Sequence, residues 1–329
     1  MNSKYHLIFA SFVISTLLMI IKFIAYYFTY SSAILTDALE SIINVVASGF
    51  AFYAIYVASQ PRDMNHPYGH GKIEFFSAGL EGVLIILASI FIIFHAIQNF
   101  VHPVPMSNLP LGLSIIISGV IINWFLGYYV ERSGIKNNSP TLIADGKHLK
   151  LDAQSGIILI LAVGLVLVTK QEWMDGAASV LFASFMAWSG IKILRKSIGG
   201  LMDERDEETL EKVVDILKFH KRDEWIDLHN LRIQQYGADI HIDCHLTLPR
   251  YFDLDTVHEN VHEFEDILGK EFTGHVEIFI HADPCLPLCC HYCQVQDCPV
   301  RQSPVTKTVE WNKLNLSLNQ KHFLEKIDQ

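Results

Sequence analysis

The sequence predicts an α-helical membrane protein, with six transmembrane helices followed by a C-terminal cytoplasmic α+β domain in the order αββαβ. Three observations carry this. The 329-residue chain is 50% hydrophobic and only 18% charged, and its apolar residues concentrate in the first 200 positions. Six stretches there reach the roughly 20 residues that cross a hydrocarbon core. Beyond residue 200 the pattern changes to short amphipathic and alternating segments, the periodicities of surface helices and half-buried strands.

The spans are expected at residues 7–29, 33–59, 75–100, 109–130, 141–168 and 174–194. The first is too long for a signal peptide, Lys22 interrupts it, and no small-residue cleavage site follows. Arg62 and Lys72, then Arg132, Lys136 and Lys147, then Lys192, Arg195 and Lys196 fall on one side, against Lys170 on the other. Basic residues stay cytoplasmic, so both termini are expected in the cytoplasm. Small residues recur on the third and sixth spans (Gly79 and Gly82; Gly176, Ala183 and Ala187), which suits close helix packing.

The membrane domain is expected to end near residue 200. Residues 206–220 read as an amphipathic helix, "IDLHNLRIQQYG" and "ADIHIDCHLTLP" as strands joined by a Tyr-Gly turn, 254–269 as a second helix and "GHVEIFIHAD" as a third strand. Residues 201–284 thus form a small domain with helices on one face of a sheet. Residues 285–329 hold a cysteine-rich segment and then a tail of low hydrophobic content, expected to be unstructured or peripherally packed.

Polar residues inside two spans carry the chemistry. "ILTDALESIINVV" (34–46) sets Asp37, Glu40 and Asn44 three and four residues apart, on one helical face. "LIADGKHLKLDAQSG" (142–156) repeats that spacing with Asp145, His148 and Asp152. A charge inside a spanning helix costs at least ~2.5 kcal/mol, so such groups mark ion paths or relays. The isolated Lys22 and Glu81 are expected to snorkel to an interface. Two pairs, Glu40 with Asn44 and His148 with Asp152, bring four donors around a small volume, the count that zinc favours. The alternative is a buried polar network that only holds the bundle together. The halves run in opposite directions, an arrangement known from transporters built of inverted repeats.

Three further groups follow. In "RDMNHPYGHGKIEF", Asp63, His66 and His70 are close enough to share a cation, with water completing the shell. The soluble part holds His229, His241, His245, His258 and His281, with Asp283; alternation puts His241, Asp243 and His245 on one strand face. All six cysteines lie after residue 240, where a reducing compartment favours metal binding over disulfides. "DPCLPLCCHYCQVQDCPVR" contains Cys285, Cys289, Cys290, Cys293 and Cys298, with His291, in a spacing that fits neither a zinc finger nor a ferredoxin. A zinc or copper(I) site on Cys289, Cys290, Cys293 and Cys298 is expected. A redox-sensitive thiol cluster is the alternative and an iron–sulfur cluster the third. The net charge of −10 argues against a nucleic-acid partner.

With these motifs the chain resembles the cation diffusion facilitator family of cation-efflux transporters over about residues 1–285. The resemblance implies transport ligands at Glu40, Asn44, His148 and Asp152, with Asp37 and Asp145 matching the acidic residue one turn earlier. It implies a second metal on Asp63, His66 and His70, as in several bacterial members. It also implies a ferredoxin-like, metallochaperone-like cytoplasmic domain with a binuclear site at the dimer contact, on His229, His245, His258, His281 and Asp283. The chain departs from the family where Glu40 replaces the usual His or Asp and Asn44 the usual Asp. Three oxygens and one nitrogen favour harder ions, so Fe²⁺ or Mn²⁺ gains on Zn²⁺. The expected protein is a homodimer in lipid that exchanges divalent metal cations for protons. A membrane-anchored metal sensor without transport is its rival. A hydrolytic enzyme needs an open metal position and a base, which four protein ligands do not leave.

Overall fold

Apolar patterning is realised first as length. Six helices run α1 (Ser3–Thr29), α2 (Ser32–Ala58), α3 (Ile73–Val101), α4 (Leu109–Lys136), α5 (Pro140–Thr169) and α6 (Trp173–Leu201). At 1.5 Å per residue each is about 40 Å long. The structure is a computed structural model and describes residues 3–29, 32–101, 109–169, 173–237, 239–272 and 275–322. Lys170, used above for orientation, lies outside them. The chain divides into two compact units, Met1–Met202 and Asp203–Gln329.

Among the described residues three helices are long and apolar enough to cross a membrane, at Tyr5–Ile24, Ser41–Ala58 and Ile73–Gln98. α5 keeps the length, but its first half carries Asp145, Lys147, His148, Lys150 and Asp152. α4 outruns its apolar stretch because Glu131, in its last turns, pairs with Lys150 of α5.

α3 lies along α6, α4 along α5 and α1 along α2, and α5 also meets α2 and α3. The α3–α6 approach depends on missing side chains. A Cβ on Gly82 would stand 2.9 Å from the Gly190 carbonyl oxygen, and one on Gly190 the same distance from that of Gly82. The small residue that answers Gly82 is therefore Gly190.

The second unit runs α7 (Glu207–Phe219), β1 (Asp227–Tyr236), β2 (Asp239–Leu248), α8 (Leu254–Glu271) and β3 (Val276–Pro284). Asp206 and Asp253 cap the two helices by accepting from backbone N–H groups of the first turn. β1 and β2 form an antiparallel hairpin, turned at Gly237 (φ 67°). β3 joins β2 in parallel, and α8 is the crossover that a parallel pair requires. Ile240, Ile242, Cys244 and Leu246 are buried with Leu210, Val213 and Leu217 of α7 and Phe264 and Leu268 of α8. Alternate positions (His241, Asp243, His245) belong to the opposite face.

The tail departs from expectation. Trp311 and Leu316 (2% and 0% exposed) enter the core of this unit, and α9 (Lys313–Ser317) packs on β1. The cause lies in β1, whose register slips between His229 and Arg232 at Asn230 (φ 54°). The Asn230 N–H, turned out of the ladder, donates to Leu318 O at 2.7 Å. Low average hydrophobicity thus conceals two large apolar anchors and a backbone bond. Leu316→Ala should cost this unit about 2–5 kcal/mol, read in the full-length protein as faster hydrogen exchange of the Asn230 amide; unchanged exchange contradicts this packing.

Candidate metal centres

α2 and α5 face each other, and the spacing of their polar residues brings three of the expected ligands together. The Asn44 Nδ2 donates to Asp152 Oδ2, and His148 Nε2 stands 3.6 Å from Asp152 Oδ1. Asn44 Oδ1 is buried, with no hydrogen-bond partner among the described residues. A buried amide oxygen left unpaired is costly, and a cation is what an amide oxygen, a carboxylate and an imidazole nitrogen jointly satisfy. Asp37 and Glu40 lie on α2, with side chains outside the described residues.

Asp145 is committed elsewhere. Its two carboxylate oxygens accept from Ser48 and Ser11, each at 2.8 Å, which ties α5 to α2 and α1. Lys22 does not snorkel either; it is 9% exposed and its Nζ donates to Ser41 Oγ at 2.9 Å.

Glu81 is the residue that sequence reasoning missed. It is 3% exposed on α3, and its carboxylate meets His148 Nδ1. A carboxylate on one ring nitrogen fixes the imidazole's orientation and tautomer and leaves the other nitrogen for a ligand. Here that other nitrogen is Nε2, on the Asp152 side. The available signal was depth, since "SAGLEGVL" puts Glu81 eight residues into α3, too far in for an interface side chain.

The loop between α2 and α3 gathers Asp63, His66 and His70, whose donor atoms all lie within 4.8 Å of one another. Asp63 Oδ1 accepts from the backbone N–H of Asn65 (2.8 Å) and His66 (2.7 Å), and His70 Nε2 is 3.4 Å from Oδ2. The His66 backbone bond leads in holding the exposed Asp63 carboxyl below its ordinary range, so it stays anionic. The buried His70 Nδ1 has no hydrogen-bond partner among the described residues.

On the sheet, register does what alternation alone cannot. His229 pairs with His245 and His245 with His281, so three imidazoles form a row across β1, β2 and β3 with centroids 5.0 and 4.7 Å apart. Asp283 lies alongside the row, its Oδ2 3.7 Å from His229 Nε2 and 3.4 Å from His245 Nδ1. His281 Nε2 is 3.4 Å from the other oxygen. His229, His245 and Asp283 form a compact donor set. Burial pushes the His229 ring below the usual imidazole range, which keeps it neutral and able to ligate. A cation already approaches here, since Lys321 Nζ is 3.3 Å from Asp283 Oδ2. His258 is not in this set; it sits on α8, its ring stacked on His262. His241 lies further along β2, beside Glu277.

The cysteines divide. Cys244 is buried in the β2 core, its thiol pushed up to about 12 by burial. Cys285, Cys289, Cys290, Cys293 and Cys298 line a single cavity.

An ionisable cluster between the helices of one unit, together with a histidine row on the sheet of the other, defines a metal-cation transporter of the cation efflux class. The chain belongs to that family: its Cation efflux transmembrane domain profile matches residues 8–202, and the profile of the Cation efflux protein, cytoplasmic domain, matches 205–285. An uncharacterized transporter of Synechocystis is 30% identical over 264 residues, 80% of this chain and 85% of its own length. The cation-efflux pump FieF of Shewanella oneidensis is 30% identical over 279 residues (84% and 92%), and FieF of Escherichia coli 26% over 285 residues (84% and 91%). These are membrane transporters and not enzymes.

Glu81→Leu should lower the metal affinity of the membrane site by about 10–100-fold, the range for losing a histidine's outer carboxylate. Glu81→Gln, which can still accept from Nδ1–H, should recover most of it. Equal loss in both variants, by titration of the purified protein, contradicts orientation through that bond.

Proposed function

We propose that the protein exports divalent transition-metal cations of the zinc, iron or manganese class from the cytoplasm in exchange for protons. It works as a homodimer in the bacterial inner membrane, with α1–α6 as six spans, both termini cytoplasmic, and the αββαβ domain as metal sensor and dimer contact. The observation that carries this is the meeting of Asn44, His148 and Asp152 between α2 and α5, with the Asn44 oxygen lacking a partner among the described residues. Relatives named as cation-efflux pumps support the direction of transport.

The transported ion is held by Glu40, Asn44, His148 and Asp152. Ligands must be deprotonated to bind metal, so an ion arriving from the cytoplasm displaces protons from Glu40 and His148. Protons arriving from the far side return to those groups and eject it. Rocking of helices about the site exposes it to each side in turn. Asp63, His66 and His70 form a weaker second site, since three protein ligands leave water in the shell. The His229, His245, His281 and Asp283 row responds to cytoplasmic metal. A membrane-anchored sensor is the rival reading, favoured by the same row; it predicts metal binding with no flux.

Asp152→Ala should abolish metal flux in proteoliposomes while the dimer persists, because it removes one of two carboxylates that balance the ion. Flux near the parent rate contradicts the four-residue site. Asn44→Asp should retain flux and change the preference among Zn²⁺, Fe²⁺ and Mn²⁺, since a third carboxylate alters both charge and donor set; an unchanged preference places Asn44 outside the ligand shell.

A further inference from the structure

The tail returns to the histidine row. Trp311 and Leu316 anchor it in the core of its unit, and Leu318 O accepts from the Asn230 N–H. Three residues later, Lys321 Nζ lies 3.3 Å from Asp283 Oδ2 and 3.4 Å from Pro284 O. His322 holds the chain in that place. Its backbone N–H donates to Asp227 Oδ2 at 3.2 Å, its ring Nδ1 meets Asp227 Oδ1, and its Nε2 donates to Asn315 O at 3.1 Å.

The oxygen that Lys321 reaches is the informative detail. Asp283 Oδ2 is the same atom that stands 3.7 Å from His229 Nε2 and 3.4 Å from His245 Nδ1. Those three side chains are the compact donor set of the row, with donor atoms all within 4.8 Å of one another. Two imidazoles and a carboxylate are common zinc ligands, so the set fits a divalent ion. The chain therefore lays its own cation on the carboxylate of a metal-binding set.

This is not an ordinary surface ion pair, which is solvated on both sides and weak. The side chains of Lys321 and Asp283 are each 16% exposed. Three anchors upstream and His322 downstream keep the ammonium at hand, and a tethered group competes at the high local concentration its tether sets. Like charges repel strongly where little water separates them. An ammonium and a dication on one part-buried carboxylate oxygen therefore exclude each other.

We propose that Lys321 is a tethered placeholder for metal at the cytoplasmic row, so that a cation binding His229, His245 and Asp283 must first displace its ammonium group. The inference rests on the proposed role of the row as a metal site. It adds that the tail raises the metal concentration at which the row fills. Lys321 lies beyond residues 205–285, the part matched by the cytoplasmic-domain profile, so the device belongs to this chain's own extension.

The test follows the row and the lysine together. Zn²⁺ is titrated into full-length protein purified in detergent, and filling of the row is read as slowed hydrogen exchange across residues 227–248 and 276–284. In the same samples Lys321 is labelled with an amine-acylating reagent, with the exposed Lys218 and Lys313 as internal references. Lys321 labelling should rise over the zinc range in which the row slows, while the references stay constant. Lys321→Met keeps the apolar stem without the charge, and its row should fill at a zinc concentration at least about 5-fold lower. Lys321→Arg keeps the charge and should stay near the parent. Slowed exchange with unchanged Lys321 labelling overturns the placeholder and leaves the row as a metal site; so does equal zinc affinity in the Met variant. Exchange in the row that zinc does not alter overturns the metal site, and the placeholder with it. The labelling arm uses the parent protein alone, so it decides the matter even where a variant misfolds.

Discussion

Ionisable groups on α5 must find partners in a surround that cannot solvate them, and the bundle is organised by how they do so. An uncompensated charge at membrane depth costs at least ~2.5 kcal/mol. Asp145 meets hydroxyls from α1 and α2, His148 meets Glu81 from α3, and Asp152 meets Asn44 from α2. Each contact is a polar bond and also a statement of which helix stands beside α5. The same requirement sorts the groups by role. Asp145 has both oxygens satisfied and is structural, whereas Asn44 keeps an oxygen with no partner among the described residues, beside Asp152 and His148. Polarity that is fully satisfied builds the bundle, and polarity left over is what the proposed ion would satisfy.

The cytoplasmic sheet solves a related problem with different geometry. One face buries aliphatic residues under α7 and α8, so alternate positions are free to carry ligands. The parallel pairing of β3 with β2 then brings His281 level with His245, and the hairpin brings His229 level with it from the other side. A one-residue slip in either pairing would send part of this row to the core face. The bulge at Asn230 lies just beyond His229, so it reroutes the backbone to the tail without disturbing the row.

What was legible in the sequence was contrast within one element. Asn44, His148 and Asp152 stand out because polar residues at helical spacing are conspicuous on apolar helices, and the structure brings these three together. Strand alternation exposed His241 and His245 for the same reason. What was not legible depends on a second element. The link of Glu81 to His148 emerges only when α3 packs on α5. Gly190 gains its meaning from Gly82 across the α3–α6 contact, and Trp311 and Leu316 are lost in an average that reads the tail as polar. The cysteines were visible as a group, but that five of them line one cavity is a property of the folded loop.

The account rests on coupled exchange at the α2–α5 site. The most direct measurement is simultaneous recording of metal and proton movement in proteoliposomes of the purified protein, with a metal indicator and a pH indicator sealed in the lumen. Metal entering down its gradient should be accompanied by alkalinisation of the lumen, because each ion drives protons outward. Metal that binds without entering, or enters with no change in lumen pH, would contradict the account.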